Sequence, residues 1–139
     1  MPSVSKRWRV CGIALLSFAA GSLITQVRAD NDRVFELRVY HAVPGKIQAL
    51  QARFRDTTAK LLAQHHLHVV GYWVGEDAPG ADNFYWLVAH SSREDAKKNY
   101  DALRGDPAFL ETVKAEQQEK LVEKIDSTFM RPADFSPMK

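Results

Sequence analysis

The apolar positions of this chain fall into two kinds of run. Val69-Val70-Gly71-Tyr72-Trp73-Val74 and Phe84-Tyr85-Trp86-Leu87-Val88-Ala89 are apolar at successive positions, without the in/out alternation of a strand that faces water on one side. A sheet built on such strands needs cover on both faces. Helices of the same chain can supply one cover, and a partner subunit is the expected source of the other. Val34 to His41 alternates instead: Phe35, Leu37, Val39 and His41 share one face, and Val34, Glu36, Arg38 and Tyr40 the other. The uniformly apolar set is expected to meet the helices. That leaves Glu36, Arg38 and Tyr40 on the open face, where a second sheet would pack.

Between the strands the period lengthens. Ile47, Leu50, Phe54, Leu61, Leu62 and His65 fall at helical spacing, with Thr57 and Thr58 filling the gap and Pro44 placed as a first helical residue. This predicts one helix of about 20 residues, ~30 Å long. A strand from Leu67 to Gly75 follows, then a polar loop, Glu76 to Asn83, that reads either as a solvated connection or as a flap over a pocket. Ser92 and Asp95 open a helix whose inward residues are Ala96, Tyr100 and Leu103 and which Gly105 ends. Asp106-Pro107 restarts it, and Leu110, Val113, Gln117 and Leu121 continue at helical spacing. Val122 to Arg131 forms a last strand, and Pro132 to Pro137 an extended tail.

The order β-α-β-β-α-β predicts an α+β, ferredoxin-like fold: a four-stranded antiparallel sheet with helices on one face. Two such sheets packed against each other make a dimeric α+β barrel, so a homodimer is the expected partner arrangement.

At 139 residues the chain is long enough for one domain. Its opening differs from the rest: Lys6, Arg7 and Arg9, then an apolar run from Val10 to Ile24, then Val27-Arg28-Ala29. This predicts a secretory signal peptide over residues 1–29, cleaved before Asp30, and a periplasmic or secreted domain over 30–139. An uncleaved membrane anchor and a mitochondrial leader are the alternatives. The leader carries four of the 19 Lys and Arg and none of the 17 Asp and Glu, so the net charge of +2 becomes −2 on its removal. The basicity therefore belongs to export and gives no reason to expect nucleic acid. Cys11, the single cysteine, leaves with it, which removes disulfides, thiol nucleophiles and thiolate ligands from the mature domain.

Several side chains are candidates for chemistry. Glu36 and Arg38 lie two apart on one strand and point the same way. Arg38 suits an anchor for an anionic group, oriented by Glu36; the reading favoured over it is an ion pair bridging the two sheets of a dimer. Tyr40, Trp73 and Trp86 could grip a small apolar or aromatic ligand, although aromatics in so apolar a sheet also serve as core. His90 shares a face with Phe84 and Trp86, and is the candidate general base, or else it closes its strand. His65-His66-Leu67-His68 looks like a metal cluster, but His65 ends the first helix while His66 and His68 straddle a turn into a strand, so the rings need not converge; no acid lies beside them in sequence, and no metal or other cofactor is expected. No phosphate-binding glycine loop and no Ser-His-Asp signature is present.

Phe35-Glu36-Leu37-Arg38-Val39-Tyr40 and Pro44-Gly45-Lys46 resemble the opening of a NIPSNAP domain, as do His65 and Val69 to Trp73 after the first helix. Asp106-Pro107-Ala108-Phe109 is similar to that family's signature between the later helices, and Phe129 to Pro137 to its end. His66 stands where the family pattern has Gly. The resemblance covers nearly all of residues 34–137 and implies a dimeric α+β barrel, with no catalytic residues to carry over. On this footing the protein is expected to be an exported homodimer that binds a small ligand or a protein, with no membrane association once the leader is gone. The alternative is a cofactor-independent monooxygenase or haem-handling enzyme, in which Arg38 orients the substrate, His90 takes a proton and the tryptophans line the pocket.

Overall fold

A computed structural model describes residues 33–139; the expected signal peptide and its cleavage point lie outside the described residues. Strand β1 (Val34–Ala42) leads to helix α1 (Ile47–Arg53), a π-helical turn (Phe54–Thr58) and helix α2 (Ala59–Gln64). Strands β2 (His68–Val74) and β3 (Asn83–His90) follow, then helices α3 (Arg93–Arg104) and α4 (Pro107–Glu119) and strand β4 (Val122–Met130). The four strands form one antiparallel sheet in the order β2-β3-β1-β4, the ferredoxin-like arrangement. Among the described residues no helix is long and apolar enough to cross a membrane.

Capping follows the sequence closely at α3 and α4. The Ser92 hydroxyl accepts from the Asp95 amide at 3.0 Å, and the Asp106 carboxylate accepts from the Ala108 amide at 2.8 Å with Pro107 in the first turn. The start of α1 differs. Pro44 does not open the helix: Pro44-Gly45 forms a tight turn closed by the Lys46 amide on the Val43 carbonyl at 2.8 Å, with Gly45 at φ +77°. A proline at the second place and a left-handed glycine at the third are what a type II turn demands, so the helix waits until Ile47. The expected single helix also contains a break in its ladder at Phe54–Thr58, where the Ala59 amide reaches back five residues to Phe54. That extra residue explains the Thr57-Thr58 interruption: it returns Leu61 and Leu62 to the buried face beside Leu50 and Phe54.

The inward stripe of α4 is also offset. Leu110 is exposed, while Phe109 packs on the core and Thr112 is buried. The Glu116 carboxylate, one residue from the expected Gln117, pairs with Arg53 of α1. Burial raises the Glu116 carboxyl above its usual value, more than the Arg53 charge lowers it.

The main correction concerns β1. The helices cover Glu36, Arg38, Tyr40 and Ala42, which join Phe84, Trp86 and Val88 of β3 under Leu50, Phe54, Leu62, Tyr100 and Leu103. Phe35, Leu37, Val39 and His41 are on the other face, in register with Ala89, Leu87, Tyr85 and Asn83. The polar pair can lie under the helices because Glu36 and Arg38 satisfy each other and their neighbours there. The apolar set is the one left without helical cover. Trp73 stands on this open face at 50% exposure, its indole lying over Gly71, where a Cβ would come within 2.8 Å of the ring. The tail reaches one end of the same face, where Phe35 and Leu87 line a shallow groove with Pro132, Phe135 and Met138.

Candidate functional site

The site grows from the alternation of β1. Because Glu36 and Arg38 both point under the helices, the Arg38 guanidinium donates to Glu36 Oε1 at 3.0 Å in a region with little access to water. β4 pairs with β1 so that Ser127 stands opposite Arg38, and its hydroxyl donates to the same Glu36 oxygen at 2.5 Å. From β3, His90 Nε2 meets Glu36 Oε2 at 3.3 Å. Glu36 is only 1% exposed. Burial pushes its carboxyl up, but hydrogen bonds to His90 and Ser127, the nearby Tyr100 hydroxyl and the Arg38 charge outweigh burial and hold it at about 2. It is therefore a carboxylate at any physiological pH and a poor proton acceptor.

Arg38 lies between aromatic rings. Its guanidinium carbon is 5.3 Å from the Trp86 ring centre, 5.4 Å from Tyr100 and 5.9 Å from Tyr40, all within cation–π reach. Burial raises the Tyr100 hydroxyl well above the ordinary phenol value, so it stays protonated. It lies close to Glu36 and Arg38 yet makes no hydrogen bond of good geometry to either.

Two cavities adjoin this network. Because the helices leave the β4 edge uncovered, a vestibule of about 630 Å³ opens between α3 and β4. Glu36, Arg38 and Ser127 contribute to its lining, as do Tyr100 and Phe129. Its α3 side carries Arg93, Lys97 and Arg104, with Glu94 as the acidic exception. Counting Glu36 and Arg38, the lining has four positive and two negative side chains, and Asp101 of α3 pairs with Lys97 and Arg104; the remaining positive excess favours an anion. Deeper in, a chamber of about 70 Å³ is lined by Thr58, Trp86, Leu62 and Phe109, and shares Arg38, Tyr100 and Arg104 with the vestibule.

Glu36, Arg38, Tyr40 and Trp86 thus come together, and His90 joins them through Glu36. Trp73 does not: it belongs to the opposite face. The three histidines at the first helix end point into separate surroundings. His65 Nε2 meets the Asp106 carboxylate at 2.7 Å, tying α2 to the start of α4. His66 is exposed in a left-handed turn at φ +58°, and His68 is exposed on β2. Among the described residues no three or more His, Cys, Asp or Glu are grouped to hold a metal ion. The sequence reading missed Thr58, Ser127 and the basic side of α3, and placed Tyr100 only as an inward residue. The Thr57-Thr58 interruption and the run Arg93, Lys97, Arg104 on one helix were the available signals.

Comparison with known proteins agrees with this architecture. The family model described as NIPSNAP matches residues 35–137. A crystal structure of a NIPSNAP family protein with unknown function from Agrobacterium tumefaciens superposes with a TM-score of 0.72 at 26% identity, covering 78% of this chain and 96% of that one. An uncharacterized NIPSNAP-like domain protein from Burkholderia xenovorans gives 0.70 at 20%, covering 77% and 90%. A putative antibiotic biosynthesis monooxygenase from Chloroflexus aurantiacus shares the fold more distantly, with a TM-score of 0.50 at 15% identity over 78% and 100%. No match was found among curated proteins.

Proposed function

The chain belongs to the NIPSNAP family, and we propose that it works as an exported homodimer that binds a small anionic ligand between its sheet and α3. One observation carries this reading. Arg38, fixed by Glu36 and aromatic rings, faces a vestibule whose size falls in the usual range for small-molecule sites. Residues 1–29 serve as the export signal, on the strength of their basic start, apolar run and small residue before the cut.

Homodimerisation rests on the open face. Leu37, Val39, Trp73, Tyr85 and Leu87 give it an apolar centre, and a second copy is the cover that matches it in size and kind. A four-stranded face of this length measures roughly 500 Å², from ~4.8 Å between strands and ~3.4 Å per residue. Two faces together bury about 1,000 Å², the floor for a specific interface. The tail, with Phe135 at 88% exposure, adds to that.

An oxygenase of this kind would need His90 at the substrate, and His90 lines neither the vestibule nor the chamber. A haem would need an axial donor: no imidazole, thiolate or thioether lines either cavity, and burial keeps the lining phenols Tyr100 and Tyr40 protonated. Ligand binding is therefore the better supported reading.

Native mass spectrometry of protein purified from an exporting host tests it. The expected species is a dimer of residues 30–139 carrying a reproducible added mass, which Arg38→Lys reduces or abolishes by losing the planar fork while keeping a charge beside Glu36. A dimer of unadorned mass that also fails to take up small carboxylates would overturn the ligand reading. A monomer would overturn the dimer.

A further inference from the structure

The inner chamber has a feature that packing alone does not account for. Thr58 Oγ1, Trp86 Nε1, Arg38 Nε and the Tyr100 hydroxyl are buried polar atoms with no hydrogen-bond partner in the protein, and all four residues line this chamber. Thr58 is 3% exposed, Trp86 2% and Tyr100 8%. An unpartnered buried polar atom is costly, so four such residues lining one small space mark it as built to be filled. The π-turn contributes directly. Thr58 ends that turn, and the Phe54 carbonyl, which a helical threonine hydroxyl commonly takes, instead accepts from the Ala59 amide. π-Bulges recur at functional sites for this kind of reason.

The chemistry of the four groups selects the occupant. Arg38 Nε–H and Trp86 Nε1–H can only donate, and the two hydroxyls are able to donate. Burial keeps Tyr100 protonated and so a donor. No carboxylate lines the chamber. Donors from Arg38, Trp86 and Thr58, beside the Tyr100 hydroxyl that also neighbours Glu36, match the lone pairs of a planar two-oxygen group, and ~70 Å³ suits a group of that size, since a water takes ~30 Å³. Anything attached to it extends past Arg38 and Tyr100 into the vestibule, beside the Phe129 ring.

We propose that the inner chamber seats the carboxylate of a small aromatic acid, whose ring lies in the vestibule against Tyr100 and Phe129. This names the ligand class for the site proposed above and rests on that reading. Benzoate is the probe, benzamide its neutral counterpart, and isothermal titration of the mature dimer the measurement.

Benzoate is expected to bind at least tenfold more tightly than benzamide. Thr58→Val, nearly isosteric, is expected to weaken benzoate about tenfold while leaving the ligand-free melting temperature equal or higher, because it removes an unpartnered hydroxyl. A Thr58 with a purely structural role would lower the melting temperature and leave affinity alone. Trp86→Phe checks the second donor and is expected to weaken benzoate by a similar factor. Unchanged affinity in both variants, or benzamide binding as well as benzoate, overturns the proposal. If binding falls only with Arg93→Met and Lys97→Met, the acid sits in the vestibule: the chamber proposal fails and the anion-site reading survives. If neither benzoate nor a co-purified mass binds, both fail.

Discussion

Glu36 shows how one residue couples stability to the site. Its carboxyl sits at about 2 in the folded protein against 4.5 for the free side chain, so the folded state favours the ionised form. The resulting stability is fully present above pH ~4.5 and is lost as pH falls toward 2, an effect on the order of 3 kcal/mol. Urea midpoints measured at pH 6, 4 and 3 should fall in that order, and Glu36→Gln should flatten the fall while costing about 3 kcal/mol at pH 6 by leaving Arg38 unpaired. A wild-type midpoint that does not move between pH 6 and 3 would count against the buried network. His66 supplies a second case. It occupies the left-handed conformation at φ +58° after α2, where the resemblance leads one to expect Gly. His66→Gly should stabilise the protein by ~0.5–1 kcal/mol, read as a rise in melting temperature. The sequence shows the position as unusual; only the backbone angle gives the reason.

At the scale of elements, strands and caps were legible because their signals are local. Alternation over Val34 to His41, the unbroken apolar runs of β2 and β3, and Ser92 and Asp106 as caps all stand in the structure as read. The errors arose where two rules compete. Pro44 fits a helix start and a type II turn equally well until Gly45 is weighed, since only the turn uses its positive φ. Gly45→Ala should therefore destabilise by about 1 kcal/mol, measurable by chemical denaturation. The choice of face on β1 is non-local: which side meets the helices depends on whether a buried ion pair finds partners, and those come from Ser127 and His90, far away in sequence. The π-turn was visible as a gap in the apolar stripe. That the gap leaves the Thr58 hydroxyl unpartnered in a cavity needed coordinates.

For the whole molecule, the two faces of one sheet divide the work. The covered face holds the Glu36–Arg38 network and both cavities beside it, and the open face is the one proposed to meet a second copy. Trp73→Asp or Leu37→Asp, each placing a carboxylate on the open face, should convert the proposed dimer to monomer by light scattering while leaving circular dichroism unchanged. Doubly apolar strands in the sequence are the reason to expect a second subunit. They do not say which side the helices cover, and Trp73 lies on the face opposite Arg38 and Trp86.

That division can be tested in one spectrum. Of the three tryptophans, Trp8 lies in the expected leader, so mature protein gives two indole N–H signals, Trp86 from the inner chamber and Trp73 from the open face. In a ¹H–¹⁵N titration with benzoate, the Trp86 indole and Arg38 Nε–H signals should shift together and saturate with one affinity while Trp73 stays still. Movement of Trp73 alone, or of neither indole at saturating benzoate, would contradict an acid-binding site built on Arg38.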